Sequence, residues 1–129
     1  MKKNFSIRDG FLFELSDGIL DVRGECSLSR VEIYPGSHPA AELIWDIDGS
    51  NQILRMSFTG LEDFVIKGRD KDYPFQSGVT LKVAGFSDGS GFVGELYVEP
   101  TKVMSYISFV MDDMSAFLIK ADLANVRRV

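Results

Sequence analysis

The sequence predicts a mainly β domain, an antiparallel β-sandwich with a half-open barrel as the alternative. Three observations point there. Apolar and polar residues alternate with period two over much of the chain, which sends one face of each segment to a core and the other to water. Asp-Gly steps fall between the alternating runs, where a tight hairpin turn needs positive φ. The runs, about ten in number, follow one another at the close spacing of a sandwich or barrel.

Taken in order, residues 5–8 and 11–15 flank Asp9-Gly10, a pair suited to a type I′ turn. Ser16-Asp17-Gly18 separates 11–15 from a third run, 19–23, as in a slightly longer hairpin. Further on, Ala41, Leu43, Trp45 and Ile47 share one face, opposite Glu42, Asp46 and Asp48, with Ile44 the exception. That run ends at Asp48-Gly49, and in the next one Leu54, Met56 and Phe58 oppose Arg55, Ser57 and Thr59. Residues 61–67 fit a strand or a short helix. Residues 68–78 read as one long loop inside the domain. Residues 79–83 alternate again, Asp88-Gly89 turns the chain, and Phe92, Leu96 and Val98 oppose Glu95 and Glu99.

The C-terminal stretch 113–127 supports two readings. Met114, Phe117, Leu118 and Ala121 recur at helical spacing, with Asp113 as a cap and Arg127 and Arg128 suited to the C-terminal dipole. A short C-terminal helix would follow. A strand over 116–121, paired back on 105–111 across a turn at Asp112-Asp113, fits equally well, and both readings stay open.

A chain of 129 residues is a single domain, 1–129, large enough to fold around its own core. One Cys cannot form an internal disulfide, and with one His it cannot supply the usual four zinc ligands. No metal and no cofactor are expected. A net charge of −5 argues against nucleic acid as a partner. Met1-Lys2-Lys3 could open a signal peptide, but Arg8 and Asp9 arrive before any apolar region. The expected location is therefore cytoplasmic, with no membrane partner and with Cys26 as a reduced thiol.

The motifs carry less chemistry than their letters suggest. Residues 89–94 match G-x-G-x-x-G, but the segment that follows is strand-like and ends in Pro100, so a glycine-rich hairpin turn explains them better than a dinucleotide site. Counting from Asp46 as an EF-hand loop puts Asn51 at the glycine position and Ser57 at the glutamate position, so that motif fails. Cys26 and His38 lack any nucleophile signature, and Cys26 reads as a small hydrophobe. Glu62-Asp63 and Asp112-Asp113 are adjacent pairs, which in strands point to opposite faces.

Charge and exposed aromatics are more telling. Residues 1–64 hold 11 acidic and 6 basic side chains, so the whole net charge of −5 lies there. Glu42, Asp46 and Asp48 project from one strand face, and Tyr73 and Phe75 stand in a charged loop around Pro74. Outward carboxylates steer basic partners, and loop aromatics anchor them.

Ser37-His38-Pro39-Ala40-Ala41-Glu42-Leu43, followed by the run 54–64 with Phe58-Thr59-Gly60-Leu61-Glu62-Asp63, resembles small bacterial immunity proteins of polymorphic toxin systems. The resemblance covers residues 34–67. Pro39 and Ala40 stand where that pattern carries Asp after its His. It implies a protein that binds and blocks a cognate toxin, and it transfers no catalytic residue. The expected function is thus a non-enzymatic protein-binding module of the immunity type, acting on a protein partner or by self-association through Glu42, Asp46, Asp48, Tyr73 and Phe75. The alternatives are a small-ligand or carbohydrate-binding β-domain and a carboxylate-based hydrolase.

Overall fold

The computed structural model describes residues 1–68, 78–90 and 96–129. The chain is mainly β, as expected. In order run β1 (Lys2–Lys3), β2 (Ser6–Arg8), β3 (Leu12–Leu15), β4 (Gly18–Asp21), α1 (Val22–Glu25), β5 (Cys26–Tyr34), β6 (Ala40–Ile47), β7 (Ile53–Lys67), β8 (Leu81–Ser87), β9 (Tyr106–Met111) and β10 (Ala116–Arg128). The larger sheet has the order β5-β6-β7-β10-β9-β8 and curls into a half-barrel, with β1 added parallel to β10. The smaller sheet, β2-β3-β4, is the double hairpin anticipated at the N-terminus. Asp9 at φ 57 and Gly10 at φ 80 make its first turn of the primed type, whose twist matches the strands it joins.

The core lies between the two sheets. Phe5, Ile7, Phe13 and Leu20 from the small sheet and its approach meet Leu43, Trp45, Leu54, Met56, Phe58, Phe86 and Phe109 from the large one. Leu43, Trp45, Leu54, Met56 and Phe58 among them are the inward members of the alternating runs. No helix among the described residues is long and apolar enough to cross a membrane.

Two readings left open are decided, and one expectation changes. The helix weighed for 113–127 does not form. Ala116–Arg128 is β10, antiparallel to β7 along its length and to β9 over Ala116 to Ile119. The turn before it places Met114 at φ 69. Ala116, Phe117, Leu118 and Ile119 are all buried because this half of β10 is a central strand, covered on both faces. A fully buried strand loses its alternation, and its apolar run then mimics helical spacing. Residues 61–67 are likewise strand, the second half of the 15-residue β7. The run expected at 19–23 stops at Asp21, where α1 begins. The Asp21 carboxylate accepts from the Gly24 amide at 2.8 Å, and the Asp21 amide donates to Glu25 at 3.1 Å. This reciprocal capping closes a single helical turn. The strand expected over 92–99 falls partly on residues outside those described. Within the described part, Tyr97 bridges Phe86 through two backbone bonds of 2.8 Å.

Gly60 lets β7 run so far. It sits at φ 62 opposite Asp122, beside the register shift at Lys120/Ala121. A Cβ at this position would meet the Asp122 Cβ at 2.8 Å. Gly60→Ala is expected to cost about 2 kcal/mol, from left-handed backbone strain and this backbone-anchored clash. Urea unfolding measures it, and Asp122→Gly in the same chain should recover the steric share but not the strain.

Candidate functional site

The outward carboxylates of the first half do not form one surface. Glu42 lies mid-strand on the outer face of the large sheet, inside a mixed-charge mesh. Arg55 pairs with it at 3.2 Å, and the Ser57 and Tyr34 hydroxyls both donate to it at 3.1 Å. Tyr34 also donates to Glu32, which Arg30 holds at 2.6 Å. The bond to Glu32 is the main cause that pushes the Tyr34 hydroxyl up to about 12. Arg30 and Arg55 thus balance Glu32 and Glu42 one for one, and the stems of such residues cover apolar surface. That explains Ile44, the exception in its run, which is buried between Arg30 and Arg55 in the ladder.

Asp46 and Asp48 are different. They lie at the end of β6, where the chain turns towards β7. Both are exposed. The Asp48 amide donates to the Glu25 carbonyl at 2.7 Å, which brings α1 against this turn. Asp46 sits in register with Ser27 of β5 and Ile53 of β7. Glu25 is exposed beside them. No lysine or arginine among the described residues pairs with Glu25, Asp46 or Asp48. Arg128 faces Asp17 at 3.7 Å, and the Arg23 guanidinium stacks on the Phe11 ring with its carbon 3.6 Å from the centroid.

The acidic character of this end registers on Cys26. Its thiol is buried and pushed up to about 12, first by that burial and then by the charges of Glu25 and Asp48. A thiol held this far above the ordinary range is neutral at pH 7 and is no nucleophile. His38 is an exposed loop residue whose Nδ1 contacts the Ser37 hydroxyl at 3.1 Å. It does not meet Cys26.

Of the expected binding set, then, Asp46 and Asp48 come together, Glu42 is drawn into the sheet mesh, and Tyr73 and Phe75 lie outside the described residues. Glu25 was missed. Its signal was present as an N-cap Asp21 followed by Gly24 and Glu25, masked by the β-branched and apolar residues just before it.

The other carboxylate pairs serve structure. Glu62 pairs with Lys120 at 3.2 Å, while Asp63 accepts from the Tyr106 hydroxyl at 2.5 Å and thereby raises it. Asp112 accepts from the Thr80 hydroxyl, and Asp113 accepts from the Ser115 amide at 2.8 Å and hydroxyl at 2.5 Å. Asp88 closes its turn by accepting from the Ser90 hydroxyl and amide, which lowers its carboxyl. This is hairpin-turn chemistry at the start of the glycine motif; residues 91–94 of that motif lie outside those described. No group of three or more His, Cys, Asp or Glu residues among the described ones is placed to hold a metal ion. An open groove of about 320 Å³ runs between the first hairpin and β8, lined by Ile7, Val83, Ala84, Leu96, Tyr97 and Val98.

No protein family, no curated protein and no solved structure matches this chain. The functional reading rests on the chain's own surface.

Proposed function

We propose that the chain is a protein-binding module of the immunity-inhibitor type, which captures a basic face of a partner protein with its acidic end. One observation supports this above the others: Glu25, Asp46 and Asp48 stand exposed together, without a cation from the described residues, while Glu32, Glu42 and Glu62 on the same sheet each pair with an Arg or Lys. Unbalanced carboxylates raise the local concentration of a positively charged partner and speed its capture.

The test is affinity capture from the source cells with the chain as bait. A protein with a basic surface should be recovered. Its association should slow at least about tenfold as ionic strength rises from roughly 0.05 to 0.5 M, because exposed charges are screened over about a Debye length. The variant Asp46→Lys/Asp48→Lys should slow association by a similar factor at low salt. Recovery of no protein, or association indifferent both to salt and to this variant, would exclude the reading.

A further inference from the structure

A groove of about 330 Å³ opens between the β3–β4 turn and the end of β10. Leu15, Ser16 and Asp17 line it from the turn, and Val126, Arg127 and Arg128 line it from β10, with Asn4 beside them. The register explains why an arginine stands here. Arg128 pairs with Leu54, and Leu54 with Trp45. Directly opposed residues of a ladder share a face, and Leu54 and Trp45 face the core. Arg128 therefore projects from the inner face of the large sheet, at its end, towards the turn of the small sheet. Its Nε is buried, and among the described residues that atom finds no hydrogen-bond acceptor. The Asp17 carboxylate stops 3.7 Å away, beyond hydrogen-bond range. A buried guanidinium N–H without an acceptor is costly, and it points to a group that completes it. The neighbouring backbone is satisfied and fixed: the Val126 amide donates to Asn4 Oδ1 at 2.8 Å, and the Val126 carbonyl accepts from Asn4 Nδ2 at 3.0 Å.

We propose that this groove binds the carboxylate of a small organic acid, with Arg128 as its anchor. The Nε–H and the adjacent Nη–H of a guanidinium are parallel donors that match the two oxygens of a carboxylate. The chain's own Asp17 approaches the same Nε, but its turn holds it too far away to bond. The exposed Arg127 adds a second positive charge, so the lining carries two arginines against one aspartate. The Ser16 hydroxyl is a further donor in the wall. The volume sets the size of the ligand. Sites for small molecules begin at roughly 300 Å³, and a carboxylate fills only part of that. The remainder takes a short aliphatic stem beside Leu15 and Val126. Ligand and Asp17 then compete for one guanidinium. The site goes beyond protein capture at the acidic end, whose carboxylates attract cations.

Butyrate is the probe, titrated into the isotope-labelled chain at constant ionic strength with chloride as the balancing anion. In nuclear magnetic resonance spectra, the backbone amides of Ser16 and Asp17 and the Nε–H of Arg128 should shift and saturate, with a Kd of roughly 0.1–10 mM. Arg128→Lys keeps the charge but loses the paired donors, and should weaken binding about tenfold or more. Asp17→Asn removes the competing carboxylate and should strengthen binding at least about threefold. Asp17 is 59% exposed, so the fold should tolerate this second change, and far-UV circular dichroism checks both variants. Inorganic phosphate, which has neither the planar fork nor a stem, should bind more weakly than butyrate. No saturation by about 0.1 M butyrate, an Arg128→Lys chain that binds equally well, or an Asp17→Asn chain that binds no more tightly would each overturn the proposal. Tighter binding of phosphate than of butyrate would overturn the assignment to a carboxylate.

Discussion

Phe109→Ala is expected to lower folding stability by about 3–5 kcal/mol and the melting temperature by roughly 10–20 °C. Phe109 is fully buried on β9. Its ring stacks on Phe13 at 6.4 Å between centroids, tilts against Trp45 at 6.4 Å and meets Phe58 edge-on at 6.2 Å. Phe13 belongs to the small sheet, while Trp45 and Phe58 belong to β6 and β7. One side chain therefore joins both sheets. Truncating it removes transfer energy, leaves a cavity and breaks three ring contacts worth about 0.5–1.5 kcal/mol each when well made. Against a total stability of about 5–15 kcal/mol, that loss is severe. Calorimetry should show a single transition that moves as a whole, because the small sheet has no core of its own. Ile19→Ala, at a residue exposed on β4, should change stability by no more than about 0.5 kcal/mol. A Phe109→Ala loss under about 1 kcal/mol, or two separate transitions, would contradict a core shared between the sheets.

Alkaline pH should destabilise the fold through Cys26. The thiol is raised from 9.0 to about 12 by burial and by the carboxylates of Glu25 and Asp48. In the unfolded chain it loses its proton near its ordinary value. Between those two values the unfolded state binds fewer protons than the folded state, so stability falls as pH rises. The contribution is fully present below pH 9 and declines by about 1.4 kcal/mol per pH unit above it. Tyr34, also raised to about 12 through its bonds to Glu32 and Glu42, acts in the same direction at higher pH. Urea unfolding at several pH values from about 8 to 10.5, in the native chain and in Cys26→Ala, isolates the thiol. The variant loses a small side chain and starts lower, so the readout is the slope. The native slope above pH 9 should be steeper than the variant's. Equal slopes would mean that the thiol is not held in its neutral form by the fold. Consistently, the native chain should resist thiol-modifying reagents at pH 8 until denaturant is added.

Much of the fold was legible from local pattern. Leu43, Trp45, Leu54, Met56 and Phe58 are inward because alternation along a strand reports which face is buried, wherever the other face meets water. The Asp9-Gly10 turn was legible because few sequences accept two consecutive positive φ angles. Legibility failed where a strand is buried on both faces. The apolar run at 116–119 then carries no period, and a helix competes with the strand. It failed again at α1, where one helical turn is too short for any period to show.

The candidate site was legible only in part, for a related reason. Sequence pattern placed Glu42, Asp46 and Asp48 outward but treated them as one set. The cross-strand register separates them: Arg55 lies opposite Ile44, within reach of Glu42, while the turn after β6 carries Asp48 beside Glu25.

The sequence by itself determined the strand faces, the hairpin turns and the location of all the net negative charge before residue 65. These are properties of neighbours along the chain. Only the tertiary structure decided which carboxylates are balanced and which stand together. Those depend on pairing order and on irregularities in the ladder, where a shift of one residue changes every neighbour across the sheet while leaving the local pattern unchanged.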